Sequence, residues 1–139
     1  MIYEKSCGFV AYTKKDGARL YLIIRSSNGD YGFPKGHMEP GETEYETAIR
    51  ELKEETNVEV EIIDGFRRQI EYKLPNKDVI KQSVYFLGKC TSVDVVAQES
   101  EVSSVLFAPL KKALELLTFE DTKRIIKEAD NYVDNSVFM

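Results

Sequence analysis

Glu51, Glu54 and Glu55 are the residues of this 139-residue chain best placed to do chemistry. They fall at i, i+3 and i+4 of Arg50-Glu51-Leu52-Lys53-Glu54-Glu55, a run that reads as helix, so the three carboxylates project to one side. Like charges at this spacing cost a helix about 0.2–0.5 kcal/mol per pair. A divalent cation reverses that cost, because hard cations take clustered carboxylate oxygens. Ahead of the run lies Phe33-Pro34-Lys35-Gly36-His37-Met38-Glu39-Pro40-Gly41-Glu42. Prolines and glycines there constrain a loop and aim its amides and carbonyls inward. A bare Glu-x-x-Glu-Glu run is commonly a solvated face. Behind this loop it points instead to a metal site.

The acids need a helix to hold them. Thr43 to Thr56 supplies one, with Thr43 as its cap and Glu44 and Glu46 at the positive end of its dipole. Tyr45, Ala48, Ile49 and Leu52 form the expected core-facing stripe. Asn57 tolerates the left-handed turn that ends such a helix. Arg50 has Glu46 and Glu54 four residues away on either side and is expected to pair with both.

Around the helix, Cys7 to Tyr12 and Arg19 to Arg25 read as strands joined by a Lys14-Lys15-Asp16-Gly17 turn. Ser26 to Tyr31 reads as a polar loop. Val58 to Ile63 and Gly65 to Leu74 read as two further strands. After the turn at Pro75-Asn76-Lys77-Asp78, Val79 to Cys90 returns. A polar connection with Glu99 and Glu101 leads to a short strand at Val105-Leu106-Phe107. Pro109 opens a helix continuing over Lys111 to Leu117. Asp121 to Val133 reads as another helix, running into a tail, Asn131 to Met139, that frays and is loose from about residue 134. Strands mixed with helices at this length imply a sheet between helical layers in one domain, residues 1–139.

Composition narrows the partners. At 42% hydrophobic and 31% charged, the chain is globular. A net charge of -5, with acid concentrated between Glu39 and Glu61, argues against a nucleic-acid or membrane partner. Such a field repels bare phosphate, so a polyanionic substrate would arrive with its metal. Cys7 and Cys90 fit reduced thiols in a cytoplasmic protein better than a disulfide framework. No segment reads as a signal peptide or as a membrane span.

The loop and helix together resemble the signature of Nudix hydrolases, G-x5-E-x7-R-E-U-x-E-E-x-G-U with U aliphatic. Gly36, Glu42, Arg50, Glu51, Leu52, Glu54, Glu55 and Val58 match it, and Asn57 replaces the second glycine. Beyond the signature, Phe33-Pro34-Lys35-Gly36-His37, Gly65-Phe66-Arg67-Arg68, Val84-Tyr85 and Glu101 ahead of Leu106-Phe107 resemble the asymmetrical diadenosine tetraphosphate hydrolases of the animal type. The resemblance implies an α/β fold, an α/β/α sandwich with a mixed sheet. It implies a magnesium-dependent pyrophosphohydrolase, with manganese as substitute, cutting diadenosine tetraphosphate to ATP and AMP.

By the same resemblance, Glu51 and Glu55 are metal ligands with Glu54 and Gly36 in the cluster. Glu54, Glu101 and Arg50 form the catalytic set. Lys35, His37 and Lys81 contact phosphate, and Tyr85 and Phe119 hold adenine. Each has an alternative. His37 is a solvated loop residue, Lys81 an ordinary strand-edge lysine, and Tyr85 and Phe119 plain core. Glu99 competes with Glu101 for the acidic role. Other substrates fit the same chemistry: an oxidised nucleoside triphosphate, a nucleotide sugar, an RNA 5′ end or a diphosphoinositol polyphosphate. A nucleotide-binding module without catalysis is the alternative of another class. Oligomeric state is left open.

Overall fold

The computed structural model describes residues 2–98 and 100–136. Its strands are β1 (Ile2–Lys15), β2 (Ala18–Ser26), β3 (Tyr31–Gly32), β4 (Lys35–His37), β5 (Val60–Lys73), β6 (Val79–Cys90) and β7 (Val102–Pro109). Its helices are α1 (Glu44–Thr56), α2 (Leu110–Leu116) and α3 (Glu120–Asp134). The strands form one sheet in the order β3-β2-β1-β6-β5, with β4 also pairing β1 and β7 also pairing β2. Only β1 and β6 pair in parallel among these; the sheet is mixed, as expected.

Side chains alternate between the two faces along each strand. Cys7, Phe9 and Ala11 of β1 pack under α1 with Ala48 and Leu52. Val10 and Tyr12 pack on the opposite face with Ala113 of α2, Leu117 just after it, and Ile125 and Ile126 of α3. The sheet thus lies between α1 and the α2–α3 pair. Arg19 and Tyr21 of β2 anchor α3, donating to Asp130 Oδ1 at 2.7 and 2.5 Å. Among the described residues no helix is long and apolar enough to cross a membrane.

Several local expectations needed correction. The two strands expected over Val58–Ile63 and Gly65–Leu74 are a single strand, β5, limited to Val60–Lys73, whose pairing with β6 shifts between Ile62 and Arg67. Gly65 sits in that irregularity at φ +91, a conformation glycine adopts without strain. Asn131 to Asp134 belong to α3 rather than to a frayed tail. The expected stripe of α1 is displaced: Tyr45 and Ile49 are exposed, whereas Thr47, Ala48, Leu52, Glu55 and Thr56 are buried. The buried face therefore contains a glutamate.

Candidate active site

Each end of α1 is fixed by its own sequence. Thr43 Oγ1 accepts from the Glu46 amide at 3.1 Å, and the Glu46 carboxylate accepts from the Thr43 amide at 2.9 Å. This reciprocal cap satisfies two otherwise unpaired donors. It also occupies Glu46, so Arg50 does not pair with that residue as expected. Asn57 closes the helix at φ 65, its amide donating to Lys53 O at 2.9 Å.

Arg50 turns to the preceding loop instead. Its guanidinium reaches Glu42 Oε2 and Oε1 at 2.7 and 3.0 Å, Glu51 Oε1 at 2.7 Å, Glu54 Oε2 at 3.2 Å and the His37 carbonyl at 3.0 Å. A rigid five-donor fork can hold that many oxygens; a point charge cannot. Glu42 also accepts from the Glu39 amide and the Thr47 hydroxyl, at 2.8 and 2.9 Å. Arg50, then the Glu39 amide, hold the Glu42 carboxyl down at about 2. Glu42 is thereby a clasp between loop and helix.

The loop returns to the sheet as β4, a strand that periodicity does not reveal. Its register on β1 sets His37 across from Ser6, Gly36 from Cys7 and Lys35 from Gly8. The approach is close. A Cβ at Gly8 would overlap the Pro34 carbonyl, and one at Gly36 would overlap the Glu51 carboxylate. Gly36 is thus pressed against an acid of α1.

Glu51 is largely buried and Glu55 is 3% exposed. Burial, then the nearby charges of Glu51 and Glu101, push the Glu55 carboxyl up to about 8. Glu51 is raised as well, chiefly by burial. The Glu51 carboxylate and the Lys35 backbone both act on Glu55, and its Oε2 is buried with no hydrogen-bond partner. Two acids so placed need a shared proton or a hard cation. The orphaned oxygen and the oxygen-only donor set fit magnesium. Among the described residues, no three acids are already gathered into a cation cage. Arg50 draws Glu54 aside, and Glu54 is the most exposed of the three helix acids.

Glu101 arrives on the connection after β6. That segment is tied to the end of α1 by Val96 and Gln98 amides donating to the Thr56 and Glu55 carbonyls, at 2.9 and 3.1 Å. Glu99, its rival in sequence, lies outside the described residues.

Two cavities meet at these acids. One, of about 410 Å³, is lined by Lys35, His37, Glu51, Lys81, Ser83 and Glu101, with Ser6 and Tyr72. The other, of about 380 Å³, is lined by Phe33, Glu55, Tyr85 and Phe119, and shares Lys35, Tyr72 and Glu101 with the first. The strand registers explain the grouping. Lys35, Gly8 and Tyr85 stand abreast; so do His37, Ser6, Ser83 and Ile70, and so do Glu4, Lys81 and Tyr72. Their side chains project from the α2–α3 face of the sheet, where Tyr85 joins the core under α3 and Thr122 of α3 lines the second cavity. Lys35 Nζ donates to Ser83 Oγ at 3.0 Å, and burial, then Lys81, hold its pKa below the ordinary lysine value.

Of the expected site residues, Lys35, Gly36, His37, Glu51, Glu55, Lys81, Tyr85, Glu101 and Phe119 line these two cavities, whereas Arg50 and Glu54 do not. Tyr85 is core: it is 2% exposed, its ring edge-on to Phe33 at 5.5 Å, and it floors the second cavity. Phe119 is not core, being 55% exposed at the rim. Mutual bonds between Tyr31 and Thr118 hold its backbone there, at 2.8 and 3.2 Å. Tyr72 was missed, hidden in the charged stretch of β5. Its signal was the four-residue turn at Pro75–Asp78, from which counting back along both strands sets Tyr72 opposite Lys81.

Comparison with known proteins agrees with this geometry. Residues 4–129 match the family model described as the NUDIX domain. The asymmetrical bis(5'-nucleosyl)-tetraphosphatase of Sus scrofa is 30% identical over 141 residues, covering 93% of this chain and 95% of that one. An RNA pyrophosphohydrolase of Nitratiruptor sp. is 32% identical over 120 residues, covering 78% and 76%. A crystal structure of a C. elegans Ap4A hydrolase binary complex superposes with a TM-score of 0.86 at 26% identity, covering 95% of this chain and 98% of that chain. The chain belongs to the Nudix family, as one of its pyrophosphohydrolases.

Proposed function

We propose that the protein hydrolyses diadenosine tetraphosphate to ATP and AMP, using magnesium, with manganese able to replace it. The observation that carries this reading is the junction of a cavity bearing Lys35, His37 and Lys81 with an aromatic cavity at one pair of buried acids. A phosphate chain fits the first and a nucleoside the second. Relatives along nearly the whole chain are named for cleaving this class of substrate.

Hydrolases of this family generally need a divalent metal. Held by Glu51 and Glu55, with Glu54 and the Gly36 backbone beside them, magnesium would offset phosphate charge and acidify the attacking water. The remaining work falls to side chains. Lys35, His37 and Lys81 bind the phosphate chain. Tyr72 and Phe119 grip the base over the Tyr85 floor. Glu101 faces both cavities and takes the proton of the attacking water. Arg50 positions Glu51. Free thiols at Cys7 and Cys90 fit a reducing, cytoplasmic location.

A base fixed on one side of the acids selects the scissile bond by distance, so a tetraphosphate bridge is cut off-centre. Hydrolysis in ¹⁸O water, followed by mass spectrometry, should give ATP and AMP with label in one product, and chelation should stop it. Two ADP would overturn this geometry. Rapid cleavage of RNA 5′ ends with none of dinucleoside polyphosphates would replace the substrate. Tyr72→Ala should raise KM with little change in kcat, since stacking contributes about 1–3 kcal/mol per base. An unchanged KM would remove Tyr72 from the base site.

A further inference from the structure

Glu4 stands beside Lys81 on the parallel β1–β6 pair, one row outward from Ser6 and Ser83. The Lys81 ammonium donates to the Glu4 carboxylate. Both side chains are partly exposed, and Lys81 lines the first cavity. Lys81, then His37 and Lys77, hold the Glu4 carboxyl below the usual carboxylate range. The other cavity lysine, Lys35, is bonded to a neutral hydroxyl, that of Ser83. So an arriving phosphate meets a Lys35 ammonium hydrogen-bonded to a hydroxyl but finds that of Lys81 already bound to a carboxylate.

A carboxylate and a phosphate oxygen compete for the same donors. A phosphate chain that stops short of Lys81 leaves the pair intact and gains nothing from it. A chain that reaches Lys81 must take the place of Glu4. We propose that Glu4 sets selectivity for phosphate-chain length: it is a positioning residue that holds Lys81 until a long linear polyphosphate displaces it. This rests on the polyphosphate reading of the cavity given above.

The test uses Glu4→Gln, Lys81→Met and the double variant. Calorimetric titration with inorganic tripolyphosphate, without divalent metal, should show Glu4→Gln binding about twofold to fivefold tighter than the parent. KM for diadenosine tetraphosphate should fall by the same factor at unchanged kcat. In the Lys81→Met background the Glu4 substitution should have no effect. A gain that persists without Lys81 would mean that Glu4 acts through its field alone, and would overturn the proposal. So would unchanged or weaker binding by Glu4→Gln and by Glu4→Ala, each with the parent's melting temperature. Tripolyphosphate carries no nucleoside, so the titration decides the role of Glu4 even if no dinucleoside polyphosphate is cleaved.

Discussion

Glu55→Gln is expected to lower kcat by about three orders of magnitude and to raise the melting temperature of the metal-free protein. Glutamine keeps the shape of the side chain and removes the buried charge. The stability effect has a defined pH window. An ordinary glutamate ionises near 4.5, whereas Glu55 in the fold ionises near 8. Between those values the folded state retains a proton that the unfolded state has released. Stability of the metal-free parent therefore falls as pH rises, by about 1.4 kcal/mol per pH unit at most. Glu42 and Glu44, both held down at about 2, act in the other direction and only below the ordinary value. Melting curves from about pH 5 to 8 in chelator separate the two contributions. Parallel curves for parent and variant would contradict the assignment, as would a variant within a few-fold of the parent in turnover.

Arg50→Lys should be nearly as damaging. The guanidinium holds Glu42, Glu51 and Glu54 and the His37 carbonyl at distances of 2.7 to 3.2 Å. An ammonium conserves the charge but not the fork. Loss of the clasp frees the loop that carries Lys35 and His37 and releases Glu51 from its orientation. The expected outcome is a fall in kcat of about 10²-fold together with about 1–3 kcal/mol of stability. Arg50→Met should be no worse than Arg50→Lys. A lysine variant with near-parental turnover would show that charge alone suffices.

The legibility of this site in the sequence varied with how local its causes are. Thr43, Glu46 and Asn57 act within a turn of their own helix, so α1 could be read from its caps. Glu51, Glu54 and Glu55 were legible as one side of that helix for the same reason. The direction of α1 against the sheet was not, because Tyr45 and Ile49 fit an apolar stripe as well as Leu52 does. Tyr45 instead lies stacked on Phe86 at 4.1 Å between centroids, half in solvent. Of the two partners expected for Arg50, Glu54 is found and Glu46 is not, because helical spacing offers Glu46 whereas the folded loop offers Glu42. Strand β4 has three residues, and its existence depends on Gly8 and Gly36 permitting close approach. Nothing within Lys35-Gly36-His37 announces it. Tyr72 and Glu4 acquire meaning only through strand register, which is a property of the pairing and not of either strand.

The parallel pairing of β1 with β6 also has a consequence in time. These strands match Ile2 with Val79 through to Tyr12 with Lys89, so each contact closes a loop of most of the chain. Such contacts form late, since the closure entropy must be met before pairing rewards it. A chain emerging from the ribosome can close the β1–β2 hairpin early and cap α1 soon after. The face carrying Glu4, Ser6, Lys81 and Ser83 has no existence until Cys90 has been made. Until then β1 presents an unpaired edge, and Cys7, Phe9 and Ala11 await part of their cover. A nascent chain stalled before β6 thus lacks Lys81 and Ser83 and leaves the β1 edge open to pairing with another strand.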